Sequence, residues 1–345
     1  MSKRYDVWIL VPIIFLLALS FVVLHSIAPH IFPSYIWYFV LGILAFLLFS
    51  LFDFEVLSAF SKYFYGISII LLLITILIGQ VTRGTVRWIP IGSLSIQTSE
   101  IVRPFLLIFF ANYLTEKKLD FKRFYKALGL FALPAFLILI QPSLGVAVLT
   151  TIGFFGIFIA SDFKKKNLLV AGIGVFCLLP LLWFVLAPYQ KQRITTFLDP
   201  SKDPLGAGYN SIQSMVSVGS GKLTGRGLGR GVQTQLYFLP EKHTDFIFAS
   251  VSEEMGFVGA TVLLFVTAIL FWRILYFSER AVNPQARGYL SGLFLMLFAQ
   301  VVVHVGMNMG LLPITGVPYP LVSAGGSSLL ATMTSLGIVL GTIKH

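Results

Sequence analysis

Ten apolar runs, each bounded by charged residues or by Pro and Gly, recur along the chain. They lie at about 7–25, 35–52, 64–79, 100–114, 127–140, 144–161, 168–187, 246–277, 288–306 and 325–343. A helix needs about 20 mostly apolar residues to cross the hydrocarbon of a bilayer. The spacing therefore predicts an all-α, polytopic integral membrane protein of about ten spanning helices, forming one domain over 1–345. The fourth and fifth runs are short, which predicts helices shielded by neighbours or a locally thinned bilayer. Only 11% of the residues are charged and the mean hydropathy is +0.89, whereas a soluble domain carries roughly 25% charged residues. A core grows too slowly with chain length to hide so much apolar surface in water. A soluble enzyme and a disordered chain are excluded, and the single cysteine, Cys177, excludes a disulfide framework. Lys3 and Arg4 open the chain like a signal peptide, but the apolar run continues to Leu24 without a small-residue cleavage site. It reads as an uncleaved first span.

Lys and Arg accumulate on the cytoplasmic side of a membrane. Placing the N-terminus there puts Lys3, Arg4, Lys62, Lys117, Lys118, Lys122, Arg123, Lys126, Lys164, Lys165, Lys166, Arg273, Arg280, Arg287 and Lys344 inside. The short outside loops near 26–35, 141–143 and 307–324 then hold none, and 80–99 holds only Arg83 and Arg87. Both termini are expected to be cytoplasmic. Topology accounts for these charges, so the net charge of +11 does not call for nucleic acid. What topology leaves over is a long outward loop, about 189–245, carrying Lys191, Arg193, Lys202, Lys222, Arg226, Arg230 and Lys242 among many glycines. Loops of this length are uncommon unless functional or disordered. Its stretch 219–231 offers backbone N–H groups and cations to a diphosphate, or reads as a basic loop over anionic lipid heads. It is neither a P-loop nor a dinucleotide fingerprint, because Lys222 is followed by Leu223 and no strand precedes it.

Fourteen carboxylates can be taken one by one. Asp6, Asp53, Glu55, Glu116, Asp120, Asp162 and Glu279 fall at cytoplasmic ends. Glu100, Asp199, Asp203, Glu241, Asp245, Glu253 and Glu254 fall outside or near outer helix ends. Glu100 and Arg103, three residues apart, can pair on one helix face, either as a structural ion pair or as part of a site. Asp245 closes a polar loop just before an apolar helix. It is either a helix cap held ionised by the unpaired N–H groups or a carboxylate base at the outer face, a role open also to Glu241 and His243. His25, His30 and His304 have no metal-ligand spacing, and no certain metal site is visible.

From Asn308 to Ser328 the residues stop being generic. Asn308, Gly310, Pro313, Thr315, Gly316, Pro318, Pro320, Ser323, Gly325, Gly326, Ser327 and Ser328 form a polar motif within apolar flanks that resembles the hallmark of the SEDS family (shape, elongation, division and sporulation). Further matches run in family order: Gly84 to Trp88, Gln97 to Glu100, Gln141 to Gly145, and Leu239 to Phe246. The segments 203–213 and 238–243 resemble the RodA elongation branch more than the FtsW division branch. Departures occur at Thr98, where Pro is common, at Arg103, where Lys is common, and at Ser143, where an Asp is usual. Tyr319 and Ala324 vary the C-terminal motif.

This resemblance implies a peptidoglycan glycosyltransferase of the bacterial cytoplasmic (inner) membrane. Such an enzyme polymerises lipid II, the undecaprenyl-diphosphate-linked precursor, together with a class B penicillin-binding protein. It implies that Asp245 is the essential aspartate and Trp88 the essential tryptophan. Asp245 would then act as general base on the acceptor hydroxyl, with inversion at the donor carbon. Arg87, Arg193, Arg226 and Arg230, or a divalent cation (magnesium or manganese), would carry the leaving diphosphate's charge. Glu100, Arg103, Glu241, His243 and Ser323 are expected to support the site. The rival readings are a flippase of the lipid-linked precursor and a non-catalytic scaffold for the penicillin-binding protein.

Overall fold

The computed structural model describes residues 6–82, 85–92, 94–117, 119–161, 188–199, 206 and 208–343. Among them helices occupy nine of the ten expected stretches; the seventh, 168–187, lies outside the described residues. Helix α1 is Val7–Ile27, and α2, Phe32–Leu51, follows a short 3₁₀ turn. The short α3 (Phe54–Ala59) leads into α4 (Ser61–Ile78). Then come α5 (Thr98–Ile101), α6 (Arg103–Thr115), α7 (Phe121–Ile140) and α8 (Leu144–Ala160). The last are α9 (Pro188–Leu198), α10 (Tyr209–Ser220), α11 (Val232–Gln235), α12 (Ile247–Arg280), α13 (Pro284–Asn308) and α14 (Gly326–Gly341). Six of these, α1, α2, α4, α7, α12 and α13, are long and apolar enough to cross a membrane. The chain is a multi-pass membrane protein.

The short fourth span, α6, is shielded as expected, with Leu106 through Ala111 all buried. The fifth is longer than its hydropathy suggests. Asp120 caps α7 by accepting the Arg123 N–H at 2.8 Å, so Lys122, Arg123 and Lys126 lie in the helix's first turns rather than in a loop. Basic side chains at a helix end can keep their heads in water while their stems lie along the helix. Helix α14 is buried on nearly every face, with Ser327, Ser328, Thr332, Thr334 and Ser335 among its buried residues. Small side chains let neighbouring backbones approach closely in a membrane, where burial of apolar surface gives helices little reason to associate.

The same device joins α8 to α13. A Cβ added to Gly156 would stand 2.7 Å from the Ser291 carbonyl oxygen and 2.8 Å from the Gly292 Cα. One added to Gly292 would stand 2.9 Å from the Gly153 carbonyl oxygen. Gly156→Leu is therefore expected to cost about 1–3 kcal/mol by overpacking, read as a lower midpoint of thermal unfolding in detergent. Gly129→Leu, whose added Cβ would meet nothing within 4 Å, should leave the midpoint where it was.

Two features depart from the expected all-helical plan. The 80–99 segment holds an antiparallel sheet of β1 (Gln80–Thr82), β2 (Thr85–Ile91) and β3 (Leu94–Ile96), in the order β1-β2-β3. Gln80 pairs with Trp88, and Ile89 with Ile96. The β-branched Val, Thr and Ile of this segment suit strands, and a run this short between spans carries no helical period. The second departure is in α12. At 1.5 Å per residue its 34 residues would extend about 51 Å, well beyond a hydrocarbon core of about 30 Å. The helix breaks at Gly256 (φ 68°, ψ −165°).

Backbone groups freed by such a break must find partners, and here the 222–227 loop supplies them. The Glu253 and Glu254 carbonyls accept from Arg226 and Gly227 N–H, each at 2.9 Å. Phe257 and Val258 N–H donate to the Lys222 and Leu223 carbonyls at 2.8 and 3.1 Å. The long loop is thus partly helical, through α9, α10 and α11, and plugged into a broken helix.

Candidate active site

Asp245 stands in a turn at the end of the bundle where α1 finishes and α2 starts. Helix α12 begins after it, with Phe246 as its N-cap residue, so Asp245 precedes the cap position itself. Three consecutive carbonyls of this turn accept hydrogen bonds from the C-terminal motif. His243 O takes the Ala324 N–H at 2.8 Å, Thr244 O the Ser323 hydroxyl at 2.7 Å, and Asp245 O the Asn308 amide at 3.0 Å. Ser323 is itself oriented by the Tyr319 N–H at 2.8 Å. The Thr244 hydroxyl donates to the Glu241 carboxylate at 3.0 Å, and the His243 ring lies 6.4 Å from that of His30. Gly316 adopts φ +69°, and a Cβ there would stand 3.6 Å from Asp245 Oδ2. The carboxylate therefore faces a backbone wall, on a turn gripped through its main chain.

A second group gathers around the sheet. Arg87 and Trp88 are neighbours on β2, both partly buried, and point to opposite faces. Glu100 and Arg103 form a fully buried ion pair, and Arg103 Nη1 donates to Gln300 Oε1 at 3.2 Å. Gln300 Nε2 in turn donates to the Pro318 carbonyl at 2.8 Å. Gln97 N–H donates to Ser327 Oγ at 2.8 Å, and the Gln97 amide donates to Ser143 Oγ at 3.1 Å. Ser143, standing where the family's usual acid would be, is thus buried as a neutral acceptor. Gly145 beside it abuts the 315–317 segment, 3.3 Å from the Thr315 carbonyl if it carried a Cβ. The two groups meet through the C-terminal motif.

The Gly-rich stretch is corrected by the structure. The backbone N–H groups of Arg226, Gly227, Gly229, Gln233 and Thr234 are engaged by Glu253 and Glu254, so those five are not offered to a diphosphate. Both acids are buried, a role their sequence position just after a polar loop did not disclose. Lys242 is buried too. Its ammonium donates to the Thr234 carbonyl and lies 3.9 Å over the Tyr237 ring. Burial pushes it below the ordinary lysine range, against the pull of Glu254 and Glu253. Lys242 is therefore a clamp within the loop rather than a cation turned toward solvent. Arg226 and Arg230 are exposed. Arg193 is exposed on α9 and donates to the Ile314 carbonyl at 3.2 Å, on the wall of a cavity of about 250 Å³ that Asn210 and Pro313 also line. Among the described residues no three His, Cys, Asp or Glu side chains converge on a common point.

The model of the FtsW/RodA/SpoVE family, described as cell cycle protein, matches residues 4–345. The chain belongs to that family. It is 40% identical over 294 residues to the peptidoglycan glycosyltransferase MrdB of Escherichia coli K12, covering 84% of this chain and 80% of that protein. It is similar to a chain of a peptidoglycan synthase complex solved for its coordination of polymerization and crosslinking, with a TM-score of 0.85, 31% identity, and 98% and 97% of the two chains covered. The rod shape determining protein RodA of Thermus thermophilus is a further structural relative, with a TM-score of 0.75, 28% identity, and 99% and 98% covered. The family expected from the C-terminal motif is the family found, and two of that motif's residues, Asn308 and Ser323, hold the Asp245 turn through their side chains.

Proposed function

We propose that the chain is a peptidoglycan glycosyltransferase that polymerises lipid II for cell elongation and rod shape, at the extracytoplasmic face of the cytoplasmic membrane. Family membership supports this reading, and one observation carries it: the Asp245 carboxylate sits on a turn whose three carbonyls are fixed by the family's own motif. A general base must be held within hydrogen-bond reach of the proton it abstracts, and the grip on its main chain fixes where the Asp245 side chain starts from. Asp245 takes the proton of the acceptor sugar's hydroxyl as the oxygen attacks the donor's anomeric carbon. The bond from that carbon to the diphosphate oxygen breaks, and the lipid diphosphate leaves with the electron pair. A single displacement inverts the carbon.

Arg87, Arg193, Arg226 and Arg230 supply cations for the leaving charge, while Trp88, Glu100, Arg103, Glu241, His243 and Ser323 support the site. A divalent cation, magnesium or manganese, fits only as an ion carried with the substrate. Magnesium binds through one or two carboxylates plus substrate phosphates, and on this turn Glu241 would be the carboxylate for that, leaving Asp245 its role as base. The ion would neutralise the diphosphate. A class B penicillin-binding protein crosslinks the product as partner.

Purified protein with such a partner, given lipid II in the presence of moenomycin and with the partner's transpeptidase blocked, should yield glycan polymer. Translocation of lipid II without polymer would establish the flippase instead, and neither activity would leave the scaffold.

A further inference from the structure

Helix α13 carries three polar side chains at four-residue intervals, Gln300, His304 and Asn308, each with no exposed surface. Four-residue spacing puts them on one face of the helix. Buried polar side chains in a spanning helix commonly bond back to their own helix, as Thr267 does to the Leu263 carbonyl. These three reach out of α13 to the backbone around the Asp245 carboxylate, and Asn308 alone also donates to a carbonyl of its own helix, that of His304, at 2.7 Å. Gln300 Nε2 donates to Pro318 O at 2.8 Å, and His304 Nδ1 lies 2.7 Å from Val317 O. Both carbonyls follow directly on Gly316, which faces the carboxylate. Asn308 Nδ2 donates to the Asp245 carbonyl at 3.0 Å, while its Oδ1 accepts the Ala249 N–H at 3.0 Å, so one amide ties the turn to the start of α12.

We infer that this face of α13 is the positioning element of the site: Asn308 sets the turn that bears Asp245, and His304 and Gln300 set the wall opposite it. The inference rests on Asp245 being the base. His304 acts here as a donor and not as a proton carrier. A carbonyl partner requires the proton on Nδ1, and Nε2 is buried without a hydrogen-bond partner among the described residues, so a second proton there would have no acceptor. The chain that orients Gln300 runs back through Arg103 to Glu100, which joins the buried ion pair to the same element.

The test measures kcat and KM for lipid II polymerisation by the complex with its class B partner, alongside the thermal midpoint in detergent. Asn308→Asp keeps the shape and the acceptor for Ala249 but loses both donors. His304→Leu keeps bulk and loses the bond to Val317. Each is expected to lower kcat about tenfold to a hundredfold, since a misplacement of about 1 Å costs that much, with KM within about threefold. His304→Asn, whose amide nitrogen overlays Nδ1, should restore kcat to within about threefold of the parent. Parent-like kcat in folded Asn308→Asp and His304→Leu would overturn the inference, as would a loss confined to KM. Equal loss in His304→Asn and His304→Leu would show a need for the imidazole itself and would also overturn it. Full activity in Asp245→Asn would instead remove the base, which is a separate failure. Should one variant not fold, the other decides.

Discussion

Asp245→Asn is expected to lower lipid II polymerisation by about 10²–10⁴-fold, the contribution of a general base, while leaving the fold intact. The two halves of that expectation have different causes. The amide has the size and shape of the carboxylate but cannot accept the acceptor's proton, so chemistry fails. The turn, however, is held by the carbonyls of His243, Thr244 and Asp245, which the substitution leaves in place. The thermal midpoint should match the parent's. Asp245→Glu gives the complementary case. Its carboxylate is ionised but reaches about one methylene further, toward the Gly316 wall, and a displacement of that order costs about a hundredfold. Activity in the order Asp, then Glu, then Asn points to a positioned base. Polymerisation by Asp245→Asn at the parent rate would remove Asp245 from the chemistry altogether.

Hydropathy made the helices legible because bilayer thickness sets their length, and nearly all of the described bundle follows from it. It could not show the break in α12, because the partners that repair the break at Gly256 come from the distant 222–227 loop. The sheet at 80–96 was hidden for a related reason: strands of three to seven residues carry too little alternation to be read between two spans. Asp245 stands out as one acid among few; its local sequence favours a helix cap, the family resemblance points instead to a base, and the structure puts the cap position at Phe246. Sequence alone places Glu253, Glu254 and Lys242 at the outer face and no more, since nothing local reveals that a loop folds over them. The stripe of Gln300, His304 and Asn308 did leave a signal. Polar residues at helical spacing inside an apolar run are costly unless they face partners, and that pattern is the sequence signal by which the stripe could be found.

Arg103→Met is expected to destabilise the protein by about 3–5 kcal/mol, because it strands the Glu100 carboxylate in the interior without its counter-charge. Both members are fully buried, so water cannot make good the loss. The double variant Glu100→Leu/Arg103→Met removes the stranded charge as well. Replacing a buried ion pair by apolar side chains is often neutral or stabilising, so its thermal midpoint should return to near the parent's. Turnover should not return with it. Arg103 also supplies the donor to Gln300 Oε1, and Gln300 holds the Pro318 carbonyl on the wall facing Asp245, so the double variant is stable but slow. Arg103→Lys restores the residue common at this place in the family. Its ammonium keeps the charge beside Glu100 and has donors for both Glu100 and Gln300. Stability and turnover should then both hold. A double variant that regains both stability and turnover would show that the pair serves the fold alone and that Gln300 keeps its place without it.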